Sequence, residues 1–134
     1  MRREEIQERV ADTLVQALGV SRSEITPATS LAGELEAESI DFLDIVFRLE
    51  KEFGIEVARG ELFPQELLRD PSLVSNGRLT EAGVASLRER FSFTDLSRLR
   101  TGEAVQDLMN DLLTVNLIVD YVESKLDTAQ PLVA

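Results

Sequence analysis

The most informative part of the sequence, from Ser39 to Gly54, reads SIDFLDIVFRLEKEFG. At about 100° per residue, its apolar side chains fall on two separate faces of a helix. The first face is an ordinary core-facing arc and contains Phe42, Ile45, Val46, Leu49 and Phe53. The second face is a stripe of Ile40, Leu43 and Phe47, which Glu50 separates from the first. The pattern predicts a helix from about Ser39 to Phe53, ended by Gly54.

Helical patterns lie on both sides of this stretch. Apolar residues at helical spacing predict a first helix from Glu4 to Leu18, ended by Gly19. Residues 19–38 hold glycine, proline and scattered hydroxyl residues, which predicts a long loop lying across the core. Further along, a short helix is predicted over Glu103 to Met109, and Thr114 caps a predicted last helix. Alternating strand patterns are rare, so we expect an all-α fold.

Residues 58–101 differ in charge from the segments around them. Residues 1–58 hold thirteen acidic and six basic side chains, residues 59–100 six and seven, and residues 101–134 six and one. The net charges are therefore −7, +1 and −5. Short helices are predicted after Pro64, Thr80 and Thr94, with a possible small hairpin over residues 74–79. We interpret residues 58–101 as an inserted helical subdomain within one domain that spans residues 1–134.

Composition excludes several classes of function. With 134 residues, 43% of them hydrophobic, the chain has material for one core. A net charge of −11 argues against nucleic acid or an anionic membrane as partner. The absence of cysteine and histidine excludes disulfides, a thiolate nucleophile, a histidine-assisted serine and ordinary zinc sites. We expect a soluble, cytoplasmic, monomeric protein that is not an enzyme and has no integral membrane segment.

Ser39 stands at the end of the long loop and at the start of the second helix. The simplest interpretation is that Ser39 is a helix N-cap, with Ile40, Leu43 and Phe47 packed under the inserted segment. The tetrapeptide around Ser39 does not exclude that interpretation, because short motifs have high false-positive rates.

The wider sequence resembles the acyl carrier protein family. The resemblance rests on motifs that occur in the family's order: Leu18-Gly19-Val20, Glu24-Ile25-Thr26, Leu31, Leu35-Glu36-Ala37-Glu38-Ser39-Ile40-Asp41, Leu49-Glu50-Lys51-Glu52-Phe53-Gly54-Ile55, Thr114-Val115 and Asp120-Tyr121-Val122. It covers residues 3–57 and 103–126. The resemblance implies a four-helix bundle, here with an inserted helical segment between the second and last helices. The inserted segment implies a specialised member of the family.

By position, the family's Asp-Ser-Leu attachment motif falls on Glu38-Ser39-Ile40. The resemblance therefore implies that Ser39 carries 4'-phosphopantetheine, added by a phosphopantetheinyl transferase. It also implies that acyl-loading and acyl-transfer enzymes are partners, within a specialised lipid or fatty acid pathway. We expect these partners to contact Glu38, Ile40, Asp41, Leu43, Asp44 and Phe47. No residue is expected to be catalytic or to bind a metal.

Several alternatives stay open. The chain could be an aminoacyl or polyketide carrier, or a helical adaptor that uses the stripe of Ile40, Leu43 and Phe47 for docking without a prosthetic group. Arg88, Arg90, Arg98 and Arg100 are either a basic patch for a partner or ordinary surface arginines. The inserted segment either enlarges an acyl pocket, with Phe91 and Phe93 as its wall, or only completes its own core and adds surface.

Overall fold

The computed structural model describes residues 2–58, 60–64 and 67–129. The first helix, α1, spans Arg3–Leu18, and the second, α2, spans Ser39–Phe53. Both predictions are confirmed. Each helix ends at a glycine in the left-handed region, Gly19 at φ 66° and Gly54 at φ 64°, and the Gly19 N–H donates to the Val15 carbonyl at 2.9 Å. Only glycine adopts this conformation at little cost, which is why the two helices end there.

The inserted segment, residues 58–101, contains short elements. A 3₁₀ turn over Leu67–Arg69 follows Pro64, although residues 65 and 66 lie outside the described residues. Strands β1 (Val74–Ser75) and β2 (Arg78–Leu79) form the predicted antiparallel hairpin, with both residues of the Asn76-Gly77 turn at positive φ. Helix α3 spans Glu81–Arg90, and the Thr80 side chain caps it by accepting from the Gly83 N–H at 3.1 Å.

The prediction of a helix after Thr94 is wrong. Residues 94–100 form turns and irregular backbone. The Thr94 hydroxyl donates to Asp120 at 2.7 Å instead of capping a helix, and Asp95 accepts from the Ser97 N–H at 2.9 Å. These side-chain hydrogen bonds compete with helix formation and hold the backbone in turns.

The chain ends in two adjoining helices. Helix α4 spans Val105–Leu112, so it begins and ends a few residues later than the predicted Glu103 to Met109. Its start is set by the hairpin, because the Val105 N–H donates to the Gly77 carbonyl at 2.8 Å. Helix α5 spans Val115–Ala129, and Thr114 caps it through the Leu117 N–H at 3.3 Å, as predicted.

Helices α1, α2, α4 and α5 form the bundle, in which α1 packs against both α2 and α5. The inserted segment adds to the same core. Its Phe63 ring lies 4.7 Å from the Phe42 ring of α2, and its Phe93 ring lies 5.2 Å from the Tyr121 ring of α5, both measured between centroids. The fold is all-α, a four-helix bundle with an inserted segment between the second and last helices, as predicted. Among the described residues, no helix is long and apolar enough to cross a membrane.

Candidate functional site

The loop that leads to Ser39 is fixed against the junction between α4 and α5. The N–H groups of Val115 and Asn116 donate to the carbonyls of Thr29 and Pro27, and the Leu31 N–H donates to the Leu113 carbonyl at 2.8 Å. Leu31 is fully buried. This long loop therefore lies across the core, as predicted, and its hydrogen bonds position the start of α2.

Ser39 is the first residue of α2, and Glu38 rather than Ser39 is the N-cap. The simplest interpretation of Ser39, as the capping residue, is therefore wrong. Asp41 takes part in the cap, because its carboxylate accepts from the Glu38 N–H at 2.8 Å. Ser39 is exposed, and its hydroxyl makes no hydrogen bond with any described residue.

The backbone turns sharply three residues before Ser39. Glu36 has φ 56°, in the left-handed region that residues with a Cβ rarely adopt. The next residue, Ala37, is buried, and its N–H donates to the Leu31 carbonyl at 2.9 Å. The turn at Glu36 thus brings Ala37 into the core while Glu38 and Ser39 remain at the surface.

The apolar stripe of α2 is exposed. Ile40, Leu43 and Phe47 have exposed fractions of 73%, 55% and 54%, whereas Phe42, Ile45 and Leu49 on the other face are buried. The inserted segment does not cover the stripe, so the interpretation in which it packs over these side chains is wrong. The two apolar faces read from the sequence are both present, and one of them faces outward.

Acidic side chains beside the stripe are engaged within the chain. Asp44 forms an ion pair with Arg48 at 2.9 Å, one turn along the same helix. The Glu50 carboxylate accepts from the Val57 N–H at 2.9 Å. Asp41 also has a partner, because it accepts from the Glu38 N–H at the start of the helix. All three acidic side chains are therefore engaged within the chain. Such exposed contacts are weak, so they leave the negative charge of this surface intact.

The inserted segment is attached to α5 through Glu61. The Glu61 carboxylate accepts from the Tyr121 hydroxyl and from Lys125, both at 2.8 Å. Burial alone would raise the pKa of Glu61, but hydrogen bonds from Lys125, Tyr121 and the Ala58 N–H hold that pKa below its ordinary value. Burial and the Glu61 carboxylate raise the pKa of Tyr121. No local pattern predicts this contact, because sixty residues separate the hydroxyl from its acceptor.

A cavity of about 500 Å³ lies between the inserted segment, α4 and the start of α5. Leu96, Leu99 and Leu108 form part of its lining, together with polar residues such as Asn110 and Arg98. Glu103 also lines it, and burial, with the charges of Asp111 and Asp107, raises the pKa of that carboxyl.

Phe91 and Phe93, expected as the wall of an apolar pocket, do not line this cavity. Phe91 is fully buried, and Phe93 packs between the rings of Phe91 and Tyr121. The rings fill the core instead, because the edge-to-face contact with Tyr121 holds Phe93 inward.

Comparison with known proteins gives three findings. The family model of a phosphopantetheine attachment site matches residues 8–70. An acyl carrier protein of Rubrobacter xylanophilus is 40% identical over 57 residues, which is 42% of this chain and 70% of that protein. The acyl carrier protein AcpXL of Rhizobium etli is 42% identical over 50 residues, 37% of this chain and 54% of that protein.

The chain belongs to the acyl carrier protein family. Acyl carrier proteins are carriers rather than catalysts, and their prosthetic group is 4'-phosphopantetheine. The residues at the start of α2 fit such a group. Ser39 is exposed, its hydroxyl makes no hydrogen bond with a described residue, and N–H groups of a first helical turn are donors of the kind that a phosphate accepts.

Proposed function

We propose that this acyl carrier protein holds acyl groups as thioesters on a 4'-phosphopantetheine arm attached to Ser39, and delivers them to partner enzymes of a specialised lipid or fatty acid pathway. The single observation that carries this proposal is the exposed Ser39 side chain at the first position of α2, whose hydroxyl makes no hydrogen bond with a described residue. The inserted segment, which the resemblance leaves without a counterpart in short members of the family, supports a specialised pathway.

The surroundings of Ser39 favour an attached phosphate. The positive end of a helix dipole stabilises a phosphate at this position by roughly 0.3 to 1 kcal/mol. Asp41 and Glu38 bring negative charge close to the same place, but the Asp41 carboxylate turns back to accept from the Glu38 N–H. When bound, the arm supplies the thiol that forms the thioester. Ser39 needs no activating neighbour in this chain, because a phosphopantetheinyl transferase performs the attachment.

The stripe of Ile40, Leu43 and Phe47 supports a docking role for the same helix. Three large apolar side chains exposed by more than half on one helix face are typical of a contact surface. We propose that Glu38, Asp41 and Asp44 around this stripe guide a basic partner surface toward α2, while the stripe supplies the contact area. The partners are the transferase and the acyl-loading and acyl-transfer enzymes.

Intact mass spectrometry after co-expression with a phosphopantetheinyl transferase tests the attachment. We expect the wild-type chain and the Ser92→Ala variant to gain the mass of one phosphopantetheine, and the Ser39→Ala variant to gain none. Ser92 is a matched control because it is also an exposed serine. Modification of Ser39→Ala at another serine would overturn the assignment.

A wild-type chain that stays unmodified would favour the adaptor interpretation. Loading of the modified chain with an amino acid or a polyketide intermediate, and not with a fatty acyl group, would favour the aminoacyl or polyketide alternative.

A further inference from the structure

The arginines of the inserted segment differ from those of the bundle. In the bundle, Arg3, Arg9, Arg22 and Arg48 each form an ion pair with a carboxylate of the same chain. In the inserted segment, the described arginines are all exposed, and none forms an ion pair with a described residue: Arg69, Arg78, Arg88, Arg90, Arg98 and Arg100. The chain as a whole carries −11, so carboxylates are not scarce. No ion pair with a described residue neutralises these positive charges, and those of Arg90, Arg98 and Arg100 act through space on Asp70, Asp95 and Glu103.

Four of these arginines converge on one short stretch of backbone. Arg88 of α3 donates to the Leu99 carbonyl at 2.9 Å, so its guanidinium lies beside residues 98–100. Arg78 of β2 donates to the Gly102 carbonyl at 2.9 Å, three residues further on. Arg98 and Arg100 belong to the stretch itself. We name Arg78, Arg88, Arg98 and Arg100 the arginine patch. The backbone from residue 98 to residue 102 spans at most about 14 Å, so the patch is built around a short stretch of chain.

Described residues of the chain accept hydrogen bonds from only a few of the N–H donors in the arginine patch. A guanidinium has five N–H donors, and the carbonyl contacts described above use one donor each in Arg78 and Arg88. Those contacts also hold the two guanidinium groups in place, which lowers the entropy that a partner must overcome. The side chains of Arg98 and Arg100 make no hydrogen bond or ion pair with a described residue. Their charges act on Asp95 and Glu103 through space only.

We propose that the arginine patch binds an acidic segment of a partner protein, a short run of aspartate and glutamate residues. Guanidinium groups match carboxylates in geometry as well as charge. Four separate guanidinium groups along one stretch of chain suit several carboxylates in sequence better than one small anion. Nucleic acid and anionic membranes extend far beyond such a patch, and would meet the −7 and −5 of the flanking segments.

This surface is opposite in charge to the Ser39 end of α2, and the inference does not depend on modification at Ser39. The chain then has two docking surfaces, one acidic and apolar on α2 and one basic on the inserted segment. A partner that carries both a basic and an acidic region would be held in one orientation, because each region fits only one of the two surfaces.

The test is a titration of the full-length, isotope-labelled chain with a capped oligoglutamate peptide, followed by nuclear magnetic resonance. Salt is kept below about 0.05 M so that screening is weak. We expect chemical-shift changes at Arg78, Arg88 and residues 98–102, and weaker binding as salt rises. In the double variant Arg98→Gln/Arg100→Gln, affinity should fall by about three- to tenfold, the range that two exposed ion pairs supply.

The matched control is Arg2→Gln/Lys51→Gln. It also removes two exposed positive charges, but from the bundle, and neither Arg2 nor Lys51 forms an ion pair with a described residue. Its affinity should stay within about twofold of the wild type. An equal loss in both variants would overturn the proposal, because net charge alone would then explain binding. Shift changes confined to the bundle would also overturn it.

Three further probes are titrated in parallel: inorganic phosphate, a short DNA duplex and phosphatidylglycerol vesicles. Tighter binding of any of them than of oligoglutamate at the same residues would overturn the acidic-protein proposal and identify the competing class of ligand. Failure of oligoglutamate to bind the wild-type chain would overturn it as well. None of these outcomes bears on attachment at Ser39, which the mass measurement tests separately.

Discussion

Helix α2 of the bundle and helix α3 of the inserted segment differ in how far their apolar side chains are exposed. Helix α2 leaves Ile40, Leu43 and Phe47 more than half exposed. Helix α3 buries Val84 and Leu87, and among its described neighbours in the inserted segment no large apolar side chain is exposed to this degree. The inserted segment has shorter elements, yet it buries its apolar residues more completely. The exposed stripe of α2 is therefore not a result of poor packing, and an interaction surface explains it better.

In the interior of the molecule, the bundle and the inserted segment do not form separate cores. Phe63 and Phe93 of the inserted segment pack against rings of α2 and α5, and Leu62, Leu87 and Phe91 belong to the same buried cluster as the bundle residues. The bundle and the inserted segment thus share one core, and they differ in the apolar side chains that they expose at the surface. Four substitutions test that statement.

The largest effect is expected from Phe91→Ala. The ring is fully buried and lies 5.8 Å from the Phe93 ring, so its removal leaves a cavity and should lower the free energy of unfolding by about 3–5 kcal/mol. Denaturant unfolding is followed by far-ultraviolet circular dichroism and by fluorescence of Tyr121, the single tyrosine of the chain. The unfolding midpoints measured by the two signals should fall by the same amount. Two separate transitions would show that the inserted segment unfolds alone, and that the core is not shared.

A smaller loss is expected from Gly83→Ala, where α3 packs closely against the backbone that leads into the hairpin. A Cβ at Gly83 would collide with the carbonyl oxygen of Leu73, which is backbone and cannot rotate away. The expected loss of unfolding free energy is about 1–3 kcal/mol. Ala85→Gly on the exposed side of the same helix is the control and should cost about 1 kcal/mol through helix propensity alone. A stabilised Gly83→Ala variant would contradict the close approach.

The negative charge of Glu61 in its contact with α5 should contribute about 1 kcal/mol, and Glu61→Gln removes that charge while keeping an oxygen that accepts from Tyr121. The pKa of Glu61 is held below its ordinary value of 4.5, so the folded state favours the charged carboxylate. The contribution is complete above that ordinary value and is lost as pH falls through the lower pKa of the folded state. We therefore expect the stability difference between wild type and Glu61→Gln to shrink as the solution is acidified. A difference that stays constant with pH would show that the charge of Glu61 does not matter.

The smallest effect on stability, within about 0.5 kcal/mol, is expected from Leu43→Ala on the exposed stripe. The same variant should weaken acyl transfer to a partner enzyme if the stripe is the docking surface. Ile45→Ala, two residues along the same helix but fully buried, should cost about 2–5 kcal/mol. Comparable losses of stability in both variants would mean that the stripe belongs to the core, and the difference between the two surfaces would disappear.

Local signals in the sequence predicted the helices well. Gly19, Gly54, Thr80 and Thr114 act on residues within one turn of themselves, so their meaning could be read without knowing the fold. The two faces of α2 were readable for the same reason. The prediction of a helix after Thr94 was wrong because the Thr94 hydroxyl donates a hydrogen bond to Asp120 of α5, which is 26 positions away. The inward packing of Phe91 and Phe93 and the pairing of Glu61 with Tyr121 also depend on distant residues. Composition showed that the inserted segment is less acidic, but not that its described arginines form no ion pair with a described residue.

The left-handed backbone at Glu36 has a consequence for the unfolded chain. Holding a residue with a Cβ at φ 56° costs the native state about 1–2 kcal/mol. A glycine at position 36 would remove that strain, yet it would also give the unfolded chain more conformations and so return about 0.5–1 kcal/mol of the gain. The second effect offsets about half of the first. A carboxylate therefore stands three residues from Ser39 at a net cost to folding of about 0.5–1 kcal/mol, which a glycine at position 36 would remove.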